Sequence, residues 1–298
     1  MLLRDAVDLF LGEYKPSTQQ AYRGPLYRMR DWLGPARPLE NLQSAHLVEY
    51  FQDVKAHGYS PATLQKHAKS IKTFFNWCVR LRLMESSPAR FIRAPKPPRL
   101  ISREKAMRDD ELERILEYLL HKTVPRDYAL VLFLADTGCR RGGAATLRLQ
   151  DIDFEALTAE VTEKGERARK VAFGEKCAQA IRRWLAYRGD HYAVKGTYVF
   201  SVDGLPLKPE VISQAIRRAC KRVGVRTLSS HSLRHRKGHQ FADHRIAPSI
   251  AATALGHSDP MITVSYYYPS DWETAQQALR ELATRPQAKS KIVNLGGD

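Results

Sequence analysis

The sequence predicts a mainly α-helical protein, with a helical N-terminal domain followed by a mixed α/β domain that carries one small antiparallel sheet. Three observations predict it. Apolar residues recur at helical spacing through the first hundred positions, and the proline-rich stretch Ala94-Pro95-Lys96-Pro97-Pro98 then forbids a helix. Beyond it helical patterns resume on either side of a single alternating stretch between Leu157 and Phe173. A chain of 298 residues with 43% apolar composition is long enough for two cores.

Taken in order, Thr18 to Leu33 places Tyr22, Leu26, Met29 and Leu33 three and four apart, with Ser17 as a cap. Ala45 to His57 repeats the pattern with Leu47, Tyr50, Phe51 and Val54, and Gly58 stops it. Ser60-Pro61 opens a long helix, serine at the N-cap and proline in the first turn. Its inward stripe is Leu64, Ala68, Ile71, Phe75, Cys78 and Leu81, while Lys66, Lys69, Lys72 and Arg80 lie on other faces. Those lysines are candidate DNA-phosphate contacts, with a simply solvated face as the alternative. The expected boundaries are a helical domain over 1–94, a linker over 95–105, a second domain over 106–284 and a polar tail over 285–298. In the second domain Asp109 to Leu120 is amphipathic and Arg126 to Asp136 is strongly apolar. Two short strands flank the Lys164-Gly165-Glu166 turn, Tyr198-Val199-Phe200 is a third, and helices fill the rest, including an amphipathic one over Trp272 to Ala283.

Charge narrows the partner. Lys and Arg number 48 against 32 Asp and Glu, a net +16. Residues 1–98 hold 15 basic and 8 acidic side chains, so both halves carry a basic surplus. Such a surplus favours a polyanion, because each phosphate neutralised releases condensed counterions. The four cysteines are scattered with no C-x-x-C pair, which suggests neither a disulfide framework nor a zinc ribbon and points to a reducing compartment. The N-terminus lacks a basic-then-apolar signal and no run approaches a membrane span, so a cytoplasmic, nucleoid-associated protein without a membrane partner is expected. A Gly-rich phosphate loop and a carboxylate cluster for a two-metal nuclease are both missing from the sequence; neither cofactor nor metal is expected.

What remains is cationic and rich in imidazole: Thr137-Gly138-Cys139-Arg140, His231-Ser232-Leu233-Arg234-His235, and Leu255-Gly256-His257 with Tyr266 nine residues later. His231, His235 and His239 sit at i, i+4 and i+8, a spacing that could bind zinc, but Arg234, Arg236 and Lys237 crowd it with positive charge.

The order T-G-x-R, a hairpin lysine, H-x-L-R-H, L-G-H and a tyrosine resembles the tyrosine recombinase family, which includes Xer-like enzymes and phage-type integrases. The likeness runs from Thr137 to about Tyr268. Upstream, the four-helix pattern and Ser86-Ser87-Pro88-Ala89 resemble that family's SAM-like core-binding domain, in a simple Xer-like two-domain plan. The resemblance implies a site-specific recombinase that cuts and rejoins duplex DNA through a 3′-phosphotyrosine. It would synapse paired half-sites as a tetramer, with itself or a related recombinase, and exchange strands through a Holliday junction. It also implies roles. Arg140 and Arg234 would neutralise the nonbridging oxygens, His231 would help move the nucleophile's proton, and His257 would donate to a nonbridging oxygen. Lys164 at the hairpin tip would protonate the departing 5′ oxygen, and spacing from His257 picks Tyr266 from the run Tyr266-Tyr267-Tyr268 as nucleophile. Arg167, Arg169 and Lys170 are candidate phosphate contacts nearby.

The chemistry is coherent on its own terms. A five-coordinate phosphorus gathers negative charge, and without a metal it needs fixed cations, which guanidinium forks supply bidentately. One departure stands out: the family carries Glu or Asp three residues after the first arginine, and here that residue is Gly143. Three readings stay open: a slower enzyme, a substitute acid such as Asp151 or Asp153, or a decayed element. Two other readings are kept beside this one: a catalytically impaired DNA-binding protein of the same fold, and a type IB topoisomerase-like activity.

Overall fold

The structure is a computed structural model, which describes residues 1–94, 103–163, 167–192, 196–268, 276 and 280. The chain divides into two compact units, Met1–Pro98 and Arg99–Asp298.

The N-terminal unit is helical. Its helices are α1 (Leu3–Gly12), α2 (Pro16–Leu33), α3 (Ser44–Ala56) and α4 (Pro61–Arg80). Ser60 caps α4 as its sequence suggests, its hydroxyl accepting the Thr63 N–H at 3.3 Å. In α2 the structure differs. Pro16 takes the first helical position, where its missing N–H costs nothing, so Lys15 is the N-cap and Ser17 lies inside the first turn. The α4 stripe is buried from Leu64 to Cys78, but Leu81 is exposed. The helix ends at Arg80 with Leu81 as its C-cap, so Leu81 no longer continues the helical stripe, and Arg82 then takes a left-handed φ of 57°. The core centres on Phe10, which meets Tyr14, Tyr22, Phe74 and Trp77 edge-on at centroid distances of 5.0 to 5.6 Å.

The second unit is built round α6 (Pro125–Thr137), buried along nearly its whole length because its run from Tyr128 to Ala135 is apolar on every side. It is enclosed by α5 (Asp109–Lys122), α8 (Glu175–His191), α9 (Pro209–Val223) and α10 (Ser230–Asp243). The short α7 (Arg141–Ala145) leads into a three-stranded antiparallel sheet in the order β1 (Ile152–Asp153), β2 (Thr158–Glu163), β3 (Arg167–Ala172). The hairpin strands fall where the alternation places them; β1 is an addition. Tyr198–Phe200 is not a strand. Tyr198 forms one bridge with Arg148, and Val199 and Phe200 go into the core. The Val199 carbonyl accepts from the Trp184 indole at 2.8 Å instead of from a strand partner. Two short helices, α11 (Pro248–Leu255) and α12 (Pro260–Tyr267), complete the described fold. Of the expected linker over 95–105, residues 95–102 lie outside the described residues and Arg103–Lys105 form a short 3-10 turn; the Trp272–Ala283 helix also lies outside them, apart from residues 276 and 280.

Candidate active site

The three motifs converge because each sits at the end of an element. Thr137 closes α6: its hydroxyl donates to the Phe133 carbonyl at 2.7 Å and accepts the Cys139 N–H at 3.3 Å. Gly138 follows with a left-handed φ of 59°, and a Cβ there would lie 3.0 Å from Lys237 and 3.1 Å from Leu255. Glycine therefore both permits the turn and lets α10 and α11 approach it. That turn delivers Arg140 as N-cap of α7.

Arg234 is on α10, whose start is fixed by a reciprocal Ser229–Ser232 capping box. The residue is 4% exposed, and one guanidinium nitrogen, Nη1, donates to the Gly138 carbonyl at 2.9 Å. The other, Nη2, is buried with no hydrogen-bond partner among the described residues. Burial draws its pKa down to about 10, still far enough above neutrality to keep the charge. A buried cation with a spare donor is costly unless an anion arrives to meet it.

His231, one turn before Arg234, stands exposed at the mouth. Its pKa is lowered by desolvation and then by the charges of Arg234, Arg141 and Arg140, so the ring is neutral at pH 7. His257 follows the α11 C-cap Gly256, which has a φ of 68°. Its Nδ1 lies 2.6 Å from the buried Thr263 hydroxyl. Burial and then Arg234 and Arg140 lower its pKa to about 4. If the hydroxyl donates to Nδ1, the proton of the neutral ring is on Nε2, the nitrogen free to donate elsewhere.

Among the described acids, the one beside Arg140 is neither Asp151 nor Asp153. Asp153 accepts the Glu155 and Ala156 N–H groups at 3.0 and 2.8 Å, closing the turn after β1, and Asp151 ends the short turn before it. The acid is Glu163. Its carboxylate accepts the Arg140 backbone N–H at 2.7 Å, pairs with the Arg140 guanidinium, and meets Arg169 Nη2 at 3.2 Å. Burial pushes its pKa up, but the Arg140 N–H and the charges of Arg169, Arg140 and Arg234 outweigh that and hold it below the usual carboxylate range. Sequence parity carried the signal: Ala159, Val161 and Glu163 share the buried face of β2.

Arg169 also departs from expectation. Its side chain is 13% exposed, passes over Gly256, and donates to the Ala254 carbonyl as well as to Glu163. Its donors brace the site from inside rather than reaching outward for phosphate. Arg167 holds its place in β3 opposite Glu163, and Lys164 lies outside the described residues. In the other unit Lys66 and Lys69 are exposed and Lys72 is half-buried.

The three tyrosines part company. The Tyr267 ring is 2% exposed and its hydroxyl lies 3.0 Å from His235 Nδ1, while the Tyr268 hydroxyl donates to the Ile246 carbonyl. Tyr266 is 36% exposed and touches Tyr267 edge-on at 6.2 Å. His235 is engaged by Tyr267, and His239 meets the same ring edge-on at 5.2 Å. Among the described residues no His, Cys, Asp and Glu group suited to a metal occurs, and no helix is long and apolar enough to cross a membrane.

Comparison with known proteins agrees with this geometry. Residues 105–273 match the phage integrase family, and residues 3–85 match the phage integrase N-terminal SAM-like domain. The tyrosine recombinase XerC of Corynebacterium glutamicum is 28% identical over 269 residues, covering 89% of this chain and 85% of that protein. The XerC of Alcanivorax borkumensis is 28% identical over 287 residues, covering 92% and 90%. Among solved structures, the Tn1549 transposon integrase in complex with a circular intermediate DNA superposes with a TM-score of 0.75 at 18% identity, covering 94% of this chain and 99% of that one. The XerH site-specific recombinase bound to its difH substrate gives 0.71 at 20% identity, covering 90% and 80%. With a catalytic-domain match over more than half its length and relatives aligned nearly end to end, the chain belongs to the phage integrase family and is a tyrosine site-specific recombinase.

Proposed function

We propose that this recombinase cuts duplex DNA by attack of the Tyr266 hydroxyl on a phosphodiester, giving a 3′-phosphotyrosine and a free 5′ hydroxyl. The phosphorus–oxygen bond to the 5′ carbon's oxygen breaks, and that oxygen takes a proton from Lys164. The tyrosine proton passes toward His231, whose neutral ring can accept it. Arg140 and Arg234 hold the nonbridging oxygens, and His257 donates to one of them from Nε2. Attack by a 5′ hydroxyl from a second duplex reverses the chemistry and exchanges strands. Because the phosphotyrosine conserves the diester's energy, the reaction needs no nucleotide. Two dimers on paired half-sites, passing through a Holliday junction, would complete the exchange.

The observation that carries this reading is Arg234: a buried guanidinium anchored by one nitrogen to Gly138, its other nitrogen lacking a partner among the described residues. The choice of Tyr266 is supported by the engagement of Tyr267 and Tyr268 elsewhere. The one feature that favours an impaired binder is Gly143, and the carboxylate on Arg140 answers it.

The test uses duplex DNA carrying the site recovered by sequencing fragments bound to the Tyr266→Phe protein in cells. On a nicked suicide version of that DNA, Tyr266→Phe is expected to bind but form no covalent adduct, and Tyr267→Phe to keep forming it. Arg234→Ala should lower cleavage by about 10² or more, as loss of a transition-state donor does. Adducts that persist in Tyr266→Phe and vanish in Tyr267→Phe would overturn the assignment. Relaxation of supercoils without joining of two sites would favour the topoisomerase reading.

A further inference from the structure

The start of α7 is unusual for what it lacks. Arg140 is the N-cap and Gly143 the N3 residue. In a capping box the N3 side chain reaches back to accept the N-cap N–H. Gly143 has no side chain to do so, yet the Arg140 N–H is not left open: it is accepted at 2.7 Å by Glu163 of β2. The two positions are neighbours in space. A Cβ on Gly143 would lie 3.3 Å from the Val161 Cβ and 3.4 Å from the Glu163 Cγ. The Glu163 stem therefore packs against the spot where a side chain at 143 would begin, and its carboxylate makes the bond that such a side chain would make.

We infer that Glu163 is the positioning residue for Arg140, its carboxylate delivered from strand β2 into the place that helix position 143 leaves open. This rests on the recombinase reading above. The same carboxylate also holds Arg169, which passes over Gly256 to the Ala254 carbonyl two residues earlier. One buried acid thus ties the guanidinium of Arg140 to the turn that carries His257. It does so from the residue directly before the hairpin tip, so the sheet and the cationic pocket are set by a single group. A carboxylate on α7 would have left the strand free of that duty.

The test is a double-mutant cycle on single-turnover cleavage of the nicked substrate, with gel-shift binding to the same DNA as the check on folding. Glu163→Gln keeps shape and removes charge. In the wild-type background it should slow cleavage by about tenfold or more, since an aiming contact to a transition-state donor is weakened. In an Arg140→Ala background the same change should cost less than about threefold, because the group it positions is gone. Equal losses in both backgrounds would mean a merely structural carboxylate and overturn the inference. A second arm returns the acid to the helix. Gly143→Glu combined with Glu163→Ala removes the Cγ that crowds position 143, and should cleave measurably faster than Glu163→Ala alone. A combined variant that binds DNA yet cleaves no faster than Glu163→Ala overturns the exchange of positions. Failure of the wild-type protein to form any adduct on DNA that it binds would instead defeat the recombinase reading itself.

Discussion

The hydroxyl of Thr263 lies against Nδ1 of His257, and where it donates there the ring's proton is on Nε2. It is fully buried, 2.6 Å from Nδ1. Thr263→Val keeps the volume and deletes the donor, so His257 is no longer held in one tautomer. Loss of one such bond is worth about 1 kcal/mol, so cleavage should fall by roughly fivefold while DNA binding holds. Thr263→Ser, which retains the hydroxyl, should cleave near the wild-type rate. Wild-type cleavage by Thr263→Val would remove the threonine from the mechanism. Residues of this kind were hard to read from the sequence. Arg140, Arg234, His231, His257 and Tyr266, the residues proposed for the chemistry, are legible because they lie in compact motifs. Thr263 and Glu163 work through partners 6 and 23 residues away, and a threonine in a helix or an acid before a hairpin is ordinarily a surface residue. Only the strand parity of Glu163 carries a signal, and a charged side chain in a strand ordinarily faces water.

At the scale of elements, α12 is held to α10 by one aromatic ring. Tyr267 lies so close over Gly238 that a Cβ there would come within 2.5 to 2.6 Å of three ring carbons. The ring cannot swing away cheaply, being buried and engaged with His235 at its hydroxyl. Gly238→Ala should therefore displace α12 and with it the neighbouring Tyr266, at an overpacking cost of about 1–3 kcal/mol. Cleavage should fall more than site binding, and Tyr267→Leu in the same chain should recover part of the loss by making room. If the double variant is as impaired as Gly238→Ala alone, the ring is not the link between the helices. Helices were largely legible because their apolar spacing and proline starts are local signals. The exceptions, the α2 start at Pro16 and the bridge at Tyr198, turn on which of two local preferences wins. At Pro16, proline at the first position outweighs serine as a cap. At Tyr198, burial of Val199 and Phe200, with the Val199 carbonyl taken by the Trp184 indole, wins over strand pairing.

Across the whole molecule, charge does two separable jobs. The net +16 is spread over both units, and Lys66 and Lys69 stand exposed on α4, a helix whose opposite face is core. Cations of that kind act through counterion release and set how tightly DNA is held, not what is done to it. Arg234 is the opposite case: buried, fixed by the Gly138 carbonyl, and shielded from mobile ions. The two jobs should separate under salt. Binding to duplex DNA should weaken by about 10³ or more between 50 and 200 mM salt, if six or more phosphates are contacted. The single-turnover cleavage rate at saturating protein should change by less than about threefold over the same range, because buried pairs are screened much less. Lys66→Glu with Lys69→Glu should lower affinity and flatten the salt slope by about 2 units if each lysine meets one phosphate, with the saturated cleavage rate unchanged. An unchanged slope would return those lysines to the solvated face that the sequence equally allows. A saturated cleavage rate that falls as steeply as binding would mean that the catalytic cations are as open to solvent as the surface ones, contrary to the burial of Arg234.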